Sequence, residues 1–295
     1  MSGCTLCPRA CGADRSREAG KCGARDVPRV ARAMLHNWEE PCISGTRGSG
    51  AIFFSGCNLN CVFCQNYDIS QTLSGTEADD TRLKSIMLSL QDAGAHNINL
   101  VTPAPHVPAI LRAVRLAREQ GLKIPVVYNT NAYEKAETLR ALDGVVDVYL
   151  PDLKYVSARA SERYSNAADY FYYASEALKE MWRQCGELVL DLEGVAVRGV
   201  LVRHLVLPGS VDETRRVLDF LSENFCAEIA VSLMCQYVPM YKADFAPLNR
   251  KLLRREYDRA VRYCIEKGFS NVLVQRFSSA DRAFTPLFDK NLNEI

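Results

Sequence analysis

The chain has 295 residues, close to half of them apolar and about a quarter charged. That is enough to build one α/β barrel-like domain with a short extension. Lys plus Arg is 36 and Asp plus Glu is 35, a near-neutral balance that points to no nucleic-acid or membrane-surface partner. No apolar run reaches the roughly 18 residues of a membrane span. Met1-Ser-Gly-Cys-Thr-Leu-Cys7 has neither the basic region nor the apolar stretch of a signal peptide, so a cytoplasmic protein is expected.

In chain order the first feature is cysteine. Of the 12 cysteines, eight precede residue 65, at short spacings that suit metal ligation better than a disulfide framework. Cys4, Cys7, Cys11 and Cys22 form one group, with Gly12 and Gly20 to supply turns. So short a segment cannot bury its own core, and a metal staple is a natural way to order it. Four thiolates satisfy tetrahedral zinc or close an iron–sulfur cluster, and the spacing does not separate the two. Cys42, Cys185, Cys226 and Cys264 show no ligand pattern and are expected to be buried.

Residues 26–50 mix apolar and polar positions and end in the flexible run Gly45-Thr-Arg-Gly-Ser-Gly50. Residues 1–47 are therefore read as an extension and 48–295 as the main domain. From residue 51 short apolar runs alternate with amphipathic stretches. Strands are expected at 51–55, 97–102, 125–130, 145–151, 199–207 and 228–234, with a short seventh at 271–274. Helices are expected near 79–93, 106–120, 134–142, 168–185, 211–224 and 248–267. Asp80 and Ser175 suit capping or first-turn positions. Nearly continuous apolar strands alternating with helices indicate a parallel sheet. Six units are too few for a closed eight-unit barrel and suit an open, partial (βα)6 barrel. In such folds the active site gathers at the C-terminal strand ends.

Directly after the first of these strands stands Cys57-Asn-Leu-Asn-Cys61-Val-Phe-Cys64. Three thiolates on one loop can hold three irons of a cubane and leave the fourth open to another ligand. An open metal position is where chemistry occurs. The competing readings are a zinc site, which lacks a fourth ligand in this loop, and unrelated buried thiols.

The C-x3-C-x-Φ-C pattern, with Phe63 as the aromatic position, resembles the signature of the radical SAM superfamily. The resemblance implies a [4Fe–4S] cluster on Cys57, Cys61 and Cys64, and S-adenosylmethionine on the open iron. It further implies a low-potential reductant such as flavodoxin or ferredoxin, and reductive cleavage to methionine and a 5′-deoxyadenosyl radical. Gly48-Ser-Gly-Ala-Ile-Phe-Phe-Ser-Gly-Cys57 and the later motifs resemble the activating enzymes of pyruvate formate-lyase and their relatives, over roughly residues 40–240.

By that resemblance Phe63 packs near the adenine. The Leu100-Val-Thr-Pro-Ala-Pro-His106 turn stands where relatives carry Gly-Gly-Glu-Pro, which leaves Thr102 and backbone carbonyls to accept from the methionine ammonium. Asn129, Thr130 and Asn131 match an Asp-Thr-Asn turn, with Asn in place of Asp. Asp152 and Lys154 match an Asp-Leu-Lys motif at the methionine end or ribose. Arg203 matches a strand arginine facing the barrel interior, toward a carboxylate of cofactor or substrate. Its neighbour His204 points the other way and reads as a structural histidine. Gln236 or Tyr237 stands where the activating enzymes place a histidine, and Cys235 reads as a small buried hydrophobe.

The expected function is radical generation. Its target is a glycyl-radical enzyme, another protein or a small molecule. A non-enzymatic iron–sulfur electron carrier and a zinc-only module are the alternatives from other classes.

Overall fold

The computed structural model describes residues 3–225, 228–277 and 288. In chain order its elements are β1 (Arg29–His36), α1 (Pro41–Ser44), β2 (Ser49–Phe54), α2 (Tyr67–Ser70), β3 (Thr76–Glu77), α3 (Asp80–Asp92) and β4 (Ile98–Val101). Then come α4 (Val107–Glu119), β5 (Val126–Thr130), α5 (Ala136–Arg140), β6 (Val148–Pro151), α6 (Ala158–Ser165), α7 (Tyr170–Cys185) and β7 (Val189–Leu190). The chain continues through β8 (Ala196–Leu205), α8 (Val211–Phe225), β9 (Ala230–Met234), α9 (Arg254–Glu266) and β10 (Val272–Val274).

The sheet runs β10-β9-β8-β6-β5-β4-β2-β1-β3. Neighbours from β2 to β10 pair in parallel and in chain order, as six strand–helix units predict, and β10 is the short seventh strand. Strands β2, β4, β5, β6 and β9 are buried along their whole length, which is why they read as continuous apolar runs.

Alternation sends successive side chains to opposite faces. On one face Val126, Tyr128, Tyr149, Val200 and Val202 join the helices in the main core. On the other, Val127, Val148, Leu150, Leu201 and Ala230 enclose Cys42 and Ile43 of α1. Helix α1 thus plugs the barrel from the end where the parallel strands begin. One rung nearer their C-terminal ends the interior positions turn polar: Asn99, Asn129, Arg203 and Ser232, all buried or nearly so.

Several features depart from the expectations. β1, in the stretch read as an extension, pairs antiparallel along β2 and carries β3 at the sheet edge. Helix α6 has the sequence Ala-Arg-Ala-Ser-Glu-Arg-Tyr-Ser, whose core-facing side is only Ala160 and Tyr164 among small polar residues, too short and too poor in large apolar residues to stand out. Its ends are set locally, by the Ser157 hydroxyl accepting from the Ala160 amide and by Asn166 in the left-handed region. Finally, Asp79, not Asp80, caps α3 by accepting from the Arg82 amide, and Asp80 is its first-turn acid. Ser175 lies inside α7, its hydroxyl turned back on the Tyr172 carbonyl, because that helix begins at Tyr170. No helix among the described residues is long and apolar enough to cross a membrane.

Candidate active site

The cysteine loop leaves β2 through Gly56, which has φ +88°. A Cβ there would lie 2.6 Å from the Cys22 carbonyl oxygen, so glycine permits both the turn and the close approach. The Cys57 amide donates to that same carbonyl at 3.0 Å. Farther along, the Asn60 and Val62 amides donate to the carbonyls of Ser165 and Tyr164 at the end of α6.

Each thiol has a polar side-chain neighbour. Asn131 Nδ2 lies 3.3 Å from Cys57 Sγ, Ser165 Oγ 3.0 Å from Cys61 Sγ, and Ser70 Oγ 3.4 Å from Cys64 Sγ. Burial, reinforced by the neighbouring cysteines, pushes Cys57 up to about 12 and Cys64 up to about 11. Cys61 is also raised by burial, against the pull of Lys154. Without a metal these thiols stay protonated; cationic iron is what would make them thiolates.

The three cysteines line a cavity of about 250 Å³ at the C-terminal ends of the strands. Phe63, Thr102, Asn129, Thr130, Asn131, Asp152, Lys154 and Arg203 line the same cavity. Thr102 adopts φ +60°, a conformation that favours glycine. Gln236 and Tyr237 both reach the cavity wall. Tyr237 is tied to the Leu248 carbonyl at 2.7 Å and meets Phe63 edge-on.

A charged network spans the interior. Arg203 donates to Asp152 Oδ1 (3.0 Å), Glu39 Oε2 (3.2 Å) and Asn129 Oδ1 (2.6 Å), and Lys154 Nζ donates to Asp152 Oδ2 (2.6 Å). Burial raises the Asp152 carboxyl, but Arg203 and Lys154 outweigh it and leave its pKa below the ordinary value. Burial likewise lowers Lys154, and Asp152 with Cys61 more than restores it. Tyr170 ties the strand ends together: its hydroxyl lies 3.0 Å from the Asn131 carbonyl and 2.6 Å from that of Asp152, and accepts from the Lys154 amide at 3.1 Å.

Sequence reasoning missed Glu39, which also accepts from Asn99 and Asn129, and its neighbours His36 and Trp38, both in the cavity wall. The available signal was a pair of acids, Glu39-Glu40, just before the apolar plug. It also missed Ser70 and Ser165, which carry no motif. His204 points away from the cavity and is held between the Leu153 carbonyl and Thr214 Oγ1. Cys235 is buried outside it. Cys42, Cys185 and Cys264 are buried as expected, and Cys226 lies outside the described residues.

Cys4, Cys7, Cys11 and Cys22 are half-buried and unpaired. They form one mutually interacting group: burial raises Cys22, which also feels Cys4 and Cys11, and burial raises Cys7, which feels Cys22 and Cys4. A Cβ on Gly20 would lie 3.3 Å from Cys11 Sγ and 3.5 Å from Cys22 Sγ. The group docks on the cysteine loop through Cys22 and through Arg9, whose Nε donates to the Asn58 carbonyl at 2.9 Å.

Among the described residues no three His, Cys, Asp or Glu side chains form a group able to hold a single metal ion. The fit of a cluster to Cys57, Cys61 and Cys64 therefore rests on the donor set. Three soft sulfur ligands stand in a partly buried loop, beside a cation and a cavity that can admit a further ligand.

Comparison with known proteins gives concordant findings. A model of the radical SAM superfamily matches residues 51–221. An uncharacterized protein of Methanocaldococcus jannaschii is 33% identical over 269 residues, 88% of this chain and 73% of that protein. Among solved structures, Streptococcus suis SuiB bound to precursor peptide SuiA is similar at TM-score 0.52 and 16% identity, over 76% of this chain and 48% of SuiB. SuiB bound to S-adenosylmethionine gives TM-score 0.50 at 17% identity, over 76% and 49%. The [FeFe]-hydrogenase maturase HydG of Carboxydothermus hydrogenoformans gives TM-score 0.52 at 10% identity, over 75% and 51%. At these identities the structural likeness concerns the fold alone. The chain spans about half the length of these structures.

Proposed function

Because the chain belongs to the radical SAM superfamily, we propose that Cys57, Cys61 and Cys64 hold three irons of a [4Fe–4S] cluster and leave the fourth to S-adenosylmethionine. When bound and reduced, the cluster supplies the electron that splits this cofactor into methionine and a 5′-deoxyadenosyl radical, which takes a hydrogen atom from the substrate.

The protein's part is binding and orientation. Lys154 offers a point charge to the methionine carboxylate, held in place by Asp152. Thr102 and the carbonyls of its turn accept from the ammonium. Asn129, Thr130 and Asn131 shape the cavity wall with side chains already held by Arg203 and Glu39, by Glu134, and by Asn58 and the Tyr133 amide, and Phe63 presents an apolar face to the adenine. Arg203 acts mainly through Asp152 and Asn129, because its donors are already engaged. The observation that carries this reading is the shared lining: three thiols and eight polar or aromatic residues from four separate strand ends and the loop meet at one cavity.

A protein substrate is the target class we put first. Trp38 lines the cavity and is 61% exposed, so an apolar face stands at its edge. SuiB, of the same fold, binds a precursor peptide. Glycyl-radical activation is the narrower form of this proposal. The Asp152–Lys154 and Arg203 motifs support it, and the altered turn at Thr102–His106 and the N-terminal cysteines weigh against it. The electron comes from a flavodoxin or ferredoxin-like donor. The four N-terminal cysteines would hold a structural zinc or an auxiliary cluster only by drawing closer together, since no three described side chains form a single-ion site, and a reducing cytoplasm suits eleven described cysteines without a disulfide.

The test is spectroscopic. In anaerobically reconstituted, reduced protein, the paramagnetic cluster signal should change when S-adenosylmethionine is added. A cluster whose signal is indifferent to the cofactor would contradict an open iron.

A further inference from the structure

The three thiols differ in their chain surroundings but share one arrangement: each is approached by one side-chain donor from a different element. We propose that Asn131, Ser165 and Ser70 form a donor ring, one to each of Cys57, Cys61 and Cys64, that raises the reduction potential of the cluster bound there. This rests on the reading of the triplet as a cluster site.

A metal-bound thiolate has no proton to give, so each neighbour within reach must be the donor. The surroundings of the three groups agree with that direction. Asn131 Oδ1 accepts from the Tyr133 amide at 2.9 Å, and its Nδ2 also reaches Asn58 Oδ1 at 2.9 Å, which turns the amide nitrogen toward Cys57. Tyr155 is buried, and Ser165 Oγ lies 3.0 Å from its hydroxyl. With Cys61 a thiolate, the Ser165 proton goes to Cys61, and Tyr155 can then donate to Ser165. Ser70 ends α2 and accepts from Gln71 Nε2 at 3.4 Å, which leaves its own proton for Cys64.

Ser165 is held most firmly. It is the last residue of α6, it is fully buried, and the carbonyls of residues 164 and 165 accept from the cysteine loop itself. The hydroxyl and the loop therefore move as one unit. Reduction adds negative charge that the sulfurs share. Donors aimed at them favour the reduced state, the more so in a buried site. The step tuned is uptake of one electron from an external low-potential one-electron donor; no bond of the protein forms or breaks. These are positioning residues that act on the cluster through its ligands.

The test uses the full chain, reconstituted anaerobically, with iron and sulfide assayed and the potential measured by redox titration without S-adenosylmethionine. Ser165→Ala and Ser70→Ala should each keep wild-type iron and shift the potential to more negative values. The double variant should shift it further. Ser165→Thr, which keeps a hydroxyl, should restore most of the wild-type value. Unchanged potentials in iron-replete alanine variants would overturn the donor ring while leaving the cluster assignment intact. Loss of iron in every variant, Ser165→Thr included, would show a purely structural role and also overturn it. A wild-type chain that takes up no cluster would instead remove the reading on which the proposal rests.

Discussion

Arg203 Nη1 lies 3.2 Å from Glu39 Oε2, a contact between β8 and the segment that plugs the barrel, 164 positions apart in sequence. Both side chains are largely buried, at 14% and 11% exposure. The same carboxylate accepts from Asn99 on β4 and Asn129 on β5, so one glutamate ties three parallel strands to the N-terminal segment beneath the cavity. Glu39→Ala leaves two amide donors and one guanidinium arm without their acceptor. A loss of about 1–3 kcal/mol is expected, the usual cost of orphaning buried donors. Urea unfolding measures it, and an unchanged midpoint would contradict the role.

The cysteines divide by role. Cys61→Ala is expected to abolish cofactor cleavage and most of the cubane absorbance, because two thiolates do not hold the cluster. Cys7→Ala is expected mainly to lower stability, since its group lies outside the cavity. Metal analysis alongside turnover distinguishes the two. Full cubane content and turnover in Cys61→Ala would refute the first assignment. Iron lost in step with a second cluster in Cys7→Ala would remove the zinc option for the N-terminal group.

Gly56→Ala tests the seam between these groups. The new Cβ meets the Cys22 carbonyl at 2.6 Å in a backbone region that disfavours alanine. Either the N-terminal segment or the cysteine loop must shift. Iron uptake at the triplet should fall even though all three ligands remain. Wild-type iron content and stability in this variant would show that the seam is not needed.

Stability should fall in mild acid. Burial pushes His36, His106 and His204 down to about 4 from an ordinary value near 6.5. These rings are neutral when folded and take up protons on unfolding. Their contribution is complete above about pH 6.5 and is lost as the pH falls toward 4, at about 1.4 kcal/mol per pH unit for each proton taken up. Urea unfolding of the metal-free chain at a series of pH values measures the slope. A flat profile between pH 6.5 and 4.5 would contradict it.

The fold was legible wherever burial was symmetrical. Strands such as Val126–Thr130 are buried on both faces, and helix α4 has a clear apolar stripe, so both stand out in the sequence. At the C-terminal strand ends, Asn129, Asp152 and Arg203 were legible through the resemblance of their motifs, and the three line one cavity. β1 was hidden because Arg29-Val-Ala-Arg-Ala-Met-Leu-His36 lies near the sheet edge, with only part of its alternation apolar. Glu39 was hidden because its meaning comes from tertiary contact: nothing in its neighbourhood reports that the segment just before α1 brings it to Arg203. Ser165 was hidden twice over, in a short helix whose buried face is mostly small polar residues and in a residue type common at helix ends.

The central claim is that the three-cysteine site generates a deoxyadenosyl radical, and its most direct test is product analysis. Anaerobically reconstituted chain, reduced and given S-adenosylmethionine, should release 5′-deoxyadenosine and methionine, and Cys61→Ala should release neither. A cluster-replete wild-type chain that yields no 5′-deoxyadenosine would contradict the account and leave an iron–sulfur electron carrier in its place.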